Sequence, residues 1–375
     1  MKKNLTRITG ALLLIFVAAA CIAGARIFGG VYQEDTYVES SGVSEVRMLS
    51  SWFSKLEGTA GDTPVYVFEG EKPGASALIL GGTHPNEVAA YMAAVLFVEN
   101  AQVDVGTLYV IPRANNSAFT CNNPGDAQPR YISFTTQSGA TRTFRAGSRG
   151  TNPMDQYPDP DVYVNYAGQS LSGSETRNLN RCYPGKEDGT LTEQVCYGIV
   201  QLINTEEVDI TIDLHEASPE YAVVNAMVAH ENAMELASNV VMDMQVEGID
   251  ISLEPSPTTL RGLTHRELGD HTNTLALLME TANPVQGRLR GATNERLALE
   301  GTDRFYLAAD KLGMLHVPFD ENGWPIEKRS ARHLDGLSKI FYHYGELYGE
   351  ELVVNNMPSY EELCENGIGY YLHDQ

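Results

Sequence analysis

Three short apolar runs, each ending in a residue able to do chemistry, constrain this chain most tightly. Residues 77–80 run into Gly81-Gly82, then His84 and Glu87; residues 208–214 alternate and deliver His215; residues 275–279 deliver Glu280. Short apolar or alternating runs bounded by turn residues read as strands. Residues 86–100 and 191–204 carry helical patterning, and 106–112 is a further strand ended by Pro112. Strand, helix and strand in succession is the pattern of an α/β sheet. In open sheets of that class, ligands bind outside the carboxyl ends of the strands, so residues distant in sequence meet at one edge.

His84, Glu87 and His215 are three side chains of the type that hold a catalytic zinc while leaving a position open for water. Glu280 is the fourth functional group, a base near that water and not a ligand. The other histidines fit less well: His230 opens a helix, His265 and His271 lie in a polar stretch, and the rest are scattered late in the chain. Surface or core positions are the plainer reading for them.

Residues 115–176 break the pattern, being rich in Asn, Gly, Pro, Ser and Tyr with no clear period. A stretch of that length is an ordered insertion or a functional loop, the wall or lid of a site. Further helices are expected over 231–245, 294–312 and 334–347, and an apolar run over 222–228. No repeat or linker divides the chain after its first 30 residues.

Those first residues are a separate matter. Lys2, Lys3 and Arg7 precede an apolar run of 13 residues, 11–23, the layout of an export signal and short for a spanning helix. Ala23-Gly24-Ala25 reads as a cleavage site. Ala18-Ala19-Ala20-Cys21 resembles a lipoprotein box except at Ala18, and retention as an anchor is the third outcome. All three place the chain outside the cytoplasm: periplasmic, extracellular or held at the outer face of the membrane. Membrane contact is expected only through this segment. Export permits disulfides among Cys121, Cys182, Cys196 and Cys364, and free buried thiols fit equally. The formal net charge of −23 argues against a nucleic-acid partner, since a polyphosphate would be repelled. An anionic substrate needs local Arg groups working against that field.

Four motifs in order give the chain a resemblance. Gly81-Gly-Thr-His-Pro-Asn-Glu87 resembles the first zinc motif of the succinylglutamate desuccinylase/aspartoacylase family of the zinc carboxypeptidase superfamily. Asn178-Leu-Asn-Arg-Cys-Tyr-Pro-Gly185 is similar to its Asp-Leu-Asn-Arg-x-Phe-Pro-Gly motif, with Asn178 for the Asp and Tyr183 for the Phe. Asp213-Leu-His215 matches the motif of the third ligand. Glu280, Pro284, Gln286-Gly287 and Leu289-Arg290 match the segment around the catalytic Glu.

The resemblance implies an α/β fold, a mixed sheet flanked by helices with the active site at the C-terminal ends of strands. It implies residues 31–375 as one catalytic domain, with the insertion at about 115–176, behind a signal or anchor at 1–30. His84, Glu87 and His215 would hold one zinc ion per chain, Glu280 would be the general base, and Asn180 and Arg181 would bind a substrate carboxylate. The family also has an oxyanion-stabilising Arg. Arg130, in Pro129-Arg-Tyr131, fits its local context best; Arg149 and Arg145 are rivals, and Arg113 follows a strand nearby. Arg266 is a further carboxylate anchor to weigh against a charged loop residue.

The expected function is therefore hydrolysis of an amide near a free carboxylate, in an N-acyl amino acid or a peptide. The alternative is an exported, non-catalytic binding protein on the same scaffold. A serine hydrolase is disfavoured, because the chain has no Gly-x-Ser-x-Gly elbow.

Overall fold

A computed structural model describes residues 2–122 and 129–375. Residues 123–128 of the expected insertion lie outside the described part. The chain divides into two units, residues 1–36 and 37–375. The first is helix α1, Lys2–Gly30. Within it, Asn4–Gly30 contains an 18-residue window of mean hydropathy 2.4 and has the length to cross a membrane, a property that export signals share. The helix thus runs well past the 13-residue apolar stretch on both sides.

The second unit opens with strands β1 (Glu45–Met48), β2 (Pro64–Glu69) and β3 (Lys72–Leu80), then helix α2 (Val88–Asn100) and strand β4 (Gln102–Ile111). Among its described residues the insertion carries two small hairpins, β5 (Tyr131–Thr135) with β6 (Thr141–Arg145), and β7 (Val162–Val164) with β8 (Ser170–Ser172). Helix α3 (Leu191–Thr205), strands β9 (Ile210–Ala217) and β10 (Ala226–Ala229), helix α4 (Met234–Val246) and strand β11 (Ser252–Pro255) follow. Then come α5 (Thr264–His271), β12 (Leu275–Ala282), α6 (Glu295–Glu300), α7 (Arg304–Lys311), α8 (Ile326–Tyr348), β13 (Val353–Asn355) and α9 (Tyr360–Asn366).

Among the described residues, nine strands form one mixed sheet in the order β1-β2-β4-β3-β9-β12-β10-β11, with β13 on β4. Its centre, β4-β3-β9-β12, is parallel, and β10 returns antiparallel beside β12. Strand β9 is buried at every position, as a central strand covered on both faces must be. Side chains alternate between the faces. Ala77, Ile79, Ile212, Leu214, Leu277 and Met279 join the core under α2, α4 and α8. Leu78 and Leu80 join the opposite core under α3. Asp213, His215, Leu278 and Glu280 therefore share the second face.

Local signals explain several boundaries. A reciprocal capping box between Thr190 and Glu193 starts α3. Helix α2 is buried all round, so it has no polar stripe to display. The expected single helix over 294–312 is two: Gly301, at φ 68°, closes α6, and the Asp303 carboxylate caps α7 by accepting from the Phe305 and Tyr306 amides. The stretch holding His265 and His271 is not a loop but helix α5. Cys182 and Cys196 are buried thiols, and Cys21 and Cys364 are exposed.

Candidate metal centre and active site

The turn after β3 is shaped by Gly82, at φ +62°. A Cβ there would lie 2.6 Å from the Pro112 carbonyl oxygen and 2.7 Å from the Phe119 ring. The chain then passes His84 and enters α2, with Glu87 at the N-cap position. A carboxylate is favoured there by the positive end of the helix. His215 and Glu280 are register partners on β9 and β12. Residues 131 and 65 positions apart along the chain thus meet at one sheet edge, since 215 follows 84 and 280 follows 215.

His84, Glu87 and His215 are all buried, and each offers an atom within 4.8 Å of the others. The outer nitrogens are committed elsewhere. His84 Nε2–H donates to Asn178 Oδ1 at 2.9 Å, and His215 Nε2–H donates to Asp213 Oδ2 at 2.8 Å. Both Nδ1 atoms consequently turn inward, His84 Nδ1 to 2.8 Å from Glu87 Oε1 and His215 Nδ1 to 2.9 Å from Glu87 Oε2. Burial, with the Arg149 charge, pushes the His84 imidazole down to about 4, leaving it neutral at pH 7. Two acceptors then face each other across a hydrogen-bonding distance, with the Arg149 guanidinium beside them. Burial opposes charge on His215, but Asp213 and Glu87 outweigh it and lift the imidazole well above its ordinary value. The donor set of two imidazoles and a carboxylate, with hydrogen-bonded outer nitrogens, fits zinc.

Further polar groups hold this core. Asp213 also accepts from Thr83 Oγ1 at 2.7 Å and Thr264 Oγ1 at 2.5 Å. Asn178 Oδ1 accepts from the Asn180 amide as well as from His84. Asn180 Oδ1 in turn accepts from the Thr264 amide at 2.8 Å, which joins the Asn180-Arg181 turn to α5. Gln286 Nε2 donates to Glu87 Oε1. Behind Glu87, Glu216 accepts from the Ala89 amide and pairs with the buried Arg329 guanidinium. The supporting roles of Asp213, Asn178, Gln286 and Glu216 were not assigned from sequence. Their signal was their place inside the four motifs or directly after His215.

The group opens on a cavity of about 630 Å³. Glu280 lines it, with Oε2 buried and without a hydrogen-bond partner. Burial, reinforced by Glu87 and offset by His215 and Arg149, pushes its carboxyl up to about 8. Arg149, Asn180 and Arg181 line the same cavity. Arg149 Nη1 lies 3.3 Å from both Glu87 Oε1 and His84 Nδ1.

For the oxyanion-stabilising role the sequence preferred Arg130. That residue does not line the cavity; its guanidinium lies 5.6 Å from the Tyr131 ring centre at the start of the β5–β6 hairpin. The rival Arg149 is carried to the site because the Gly147 amide donates to the Pro85 carbonyl and the Ser148 amide to the Ala118 carbonyl. Arg113 and Arg145 are buried against Phe119 and Tyr131 and do not line the cavity. Arg266 is buried, is engaged by Glu231 and Asp270, and does not line the cavity. His265, expected at the surface or in a core, is a buried part of the cavity wall and bonds Ser256 Oγ at 2.7 Å through Nδ1.

The fold and the site define an α/β protein with a buried His-Glu-His group at a sheet edge. No family model matches the chain, and no curated protein matches it. Solved structures do. The ectoine utilization protein EutE (DoeB) of Ruegeria pomeroyi is 15% identical with a TM-score of 0.42; the match covers 80% of this chain and 64% of that one. A succinylglutamate desuccinylase of a Silicibacter species is also 15% identical at TM-score 0.42, covering 80% and 63%. A metallo-carboxypeptidase of Burkholderia cenocepacia is 12% identical at TM-score 0.44, covering 86% and 68%. The chain therefore spans less than two thirds of the length of the first two. The matched structures include members of the family that the four motifs resemble.

Proposed function

We propose that the chain is a zinc-dependent hydrolase that cleaves an amide bond close to a free carboxylate of its substrate. The observation that carries this reading is the convergence of His84, Glu87 and His215 on one point beside a buried, unpartnered Glu280 oxygen, at the bottom of a cavity. His84, Glu87 and His215 would hold the ion. When bound, zinc supplies Lewis acidity, which lowers the pKa of water and polarises a carbonyl.

The chain's own groups do the rest. Glu280 takes a proton from the attacking water as its oxygen bonds to the carbonyl carbon, and passes that proton to the nitrogen as the C–N bond breaks. The products are a carboxylic acid and an amine, so water is the only co-reactant. Arg149 stabilises the negative charge that develops on the carbonyl oxygen. Arg181 pairs with the substrate carboxylate, and Asn180 holds that turn against α5 through Thr264. Asp213 and Asn178 keep both imidazoles in the tautomer that presents Nδ1.

Substrates of two types satisfy this scheme, an N-acyl amino acid and a peptide with a free C-terminus. An export signal in residues 1–30 favours the peptide, and the four motifs favour the acyl amino acid. The test is hydrolysis by the purified zinc form of N-succinyl and N-acetyl amino acids against short peptides with free and amidated C-termini. Cleavage of free-carboxylate substrates, lost in Glu280→Gln at unchanged zinc content, is expected. A Glu280→Gln protein as fast as its parent would remove the assigned base. Equal cleavage of free and amidated peptides would remove the role of Arg181. Zinc-loaded protein that hydrolyses none of them would favour the non-catalytic binding protein.

A further inference from the structure

The cavity extends past the reacting groups along the sheet. On β12, Leu278 lies two residues before Glu280 and on the same face. It pairs with Val228 on β10, and Val228 pairs with Glu254 on β11. Glu280, Leu278, Val228 and Glu254 all line the cavity. The floor thus runs from the base, over two aliphatic side chains, to a carboxylate. Pro257, Leu260 and Leu263 complete the lobe as its wall.

That wall is attached to the carboxylate anchor. Gly262, at φ +84°, packs so closely on Arg181 that a Cβ would lie 2.1 Å from the Arg181 carbonyl oxygen. The Gly262 carbonyl accepts from the Tyr183 amide. The wall is thereby fixed to the Arg181 backbone, and Arg181 lines the same cavity as the lobe.

Charge in the lobe has one sign. Of the cavity's two guanidinium groups, Arg149 lies 3.3 Å from His84 and Glu87, and Arg181 lies 3.8 Å from Glu175. Burial pushes the His265 imidazole down to about 3, so it adds no positive charge at neutral pH. Glu254 accepts a long bond from Ser252 Oγ at 3.4 Å and makes no ion pair among the described residues. From the strand spacing and rise, the Cα atoms of Glu280 and Glu254, two strands and two residues apart, are separated by about 12 Å. An acidic substrate side chain would be repelled there, and a short one would leave the aliphatic floor uncovered.

We propose that this lobe receives a basic side chain, an unbranched aliphatic stem lying over Leu278 and Val228 with its ammonium on Glu254. The side chain belongs to the residue whose carboxylate Arg181 holds. Glu254 is then a specificity-determining residue, and the substrates are amides of lysine-like amino acids. The assignment rests on the hydrolase reading given above for the direction in which the substrate lies.

Two readouts test it. One is kcat/KM of the zinc-loaded full chain for Nα-acyl and dipeptide derivatives ending in lysine, norleucine and glutamate. The other is calorimetric binding of free lysine, norleucine and glutamate, which needs no turnover. Norleucine keeps the stem and removes the charge. Lysine is expected to exceed norleucine about tenfold in both, equivalent to about 1.4 kcal/mol, with glutamate last. Glu254→Gln is expected to bring the lysine-to-norleucine ratio below about threefold, and Glu254→Lys to move the ranking toward glutamate. Norleucine or glutamate derivatives cleaved as well as lysine overturn the lobe assignment and leave the hydrolase standing. Lysine bound through Glu254 with no derivative cleaved supports the lobe and overturns the hydrolase.

Discussion

On the cavity floor, His84, Glu87 and His215 are deeply buried and fixed by Asn178, Asp213 and Gln286, and Glu280 beside them is half-buried. The wall opposite, residues 255–263, is half exposed, takes no regular structure beyond Pro255, and is tied down chiefly at Gly262 and Arg261. The difference separates two requirements. A metal and a base need positions fixed to fractions of an ångström, which adjoining strands provide. A side-chain pocket needs a surface that can vary without disturbing those positions, which a loop provides.

Substitutions on the floor should therefore cost far more than those on the wall. The largest effect is expected at Glu280. Glu280→Gln preserves shape and removes the base, so kcat should fall by about 10²–10⁴-fold, with zinc content and thermal midpoint unchanged. Steady-state kinetics beside metal analysis would check this, and a fall accompanied by metal loss would mean that Glu280 supports the ligands instead.

Arg149 comes next, because it reaches the floor from a loop. Arg149→Ala should lower kcat about 10²–10³-fold if it stabilises the developing oxyanion. A change confined to KM would make it a ground-state anchor like Arg181. Either result places part of the chemistry on the insertion, which blurs the division between floor and wall at this one residue.

Asp213 tests the layer under the ligands. Its carboxylate holds His215 and also accepts from Thr83 and Thr264. Asp213→Asn should weaken zinc binding about 10–100-fold, measured by competition with a chelator. Asn178→Asp should act in the opposite sense, since a charged acceptor makes His84 a stronger ligand. If Asp213→Asn left zinc affinity unaltered, the His215 tautomer would not depend on this contact.

The floor was also the part legible from sequence. Short runs of β-branched and aliphatic residues mark β3, β9 and β12, and each functional residue lies at or near a strand end where the motifs put it. The wall was not. Helix α5 contains only eight residues, most of them polar and several paired in space with partners such as Glu231 and Arg261, so its periodicity was too brief to read. His265 consequently looked like a loop residue. In the insertion, Ser148-Arg149-Gly150 has no periodicity at all, and its position depends on backbone bonds to Pro85 and Ala118 more than 25 residues earlier. Local context favoured Arg130 because sequence resemblance ranks neighbours along the chain and not across the cavity.

Arg130 gives the smallest expected effect and the sharpest contrast with Arg149. Its guanidinium lies beside Tyr131 and outside the cavity lining, in a hairpin whose Tyr131 is 40% exposed. A cation–π contact at such a site is worth about 0.5–1 kcal/mol. Arg130→Ala should therefore shift stability by at most that amount and leave kcat/KM within about twofold of the parent, a change of less than about 0.5 kcal/mol. Thermal denaturation and kinetics on the same sample would separate the two effects. Should Arg130→Ala lose activity as Arg149→Ala is expected to, the hairpin must close over the cavity when substrate binds, and the wall would then supply catalytic charge as well as selectivity.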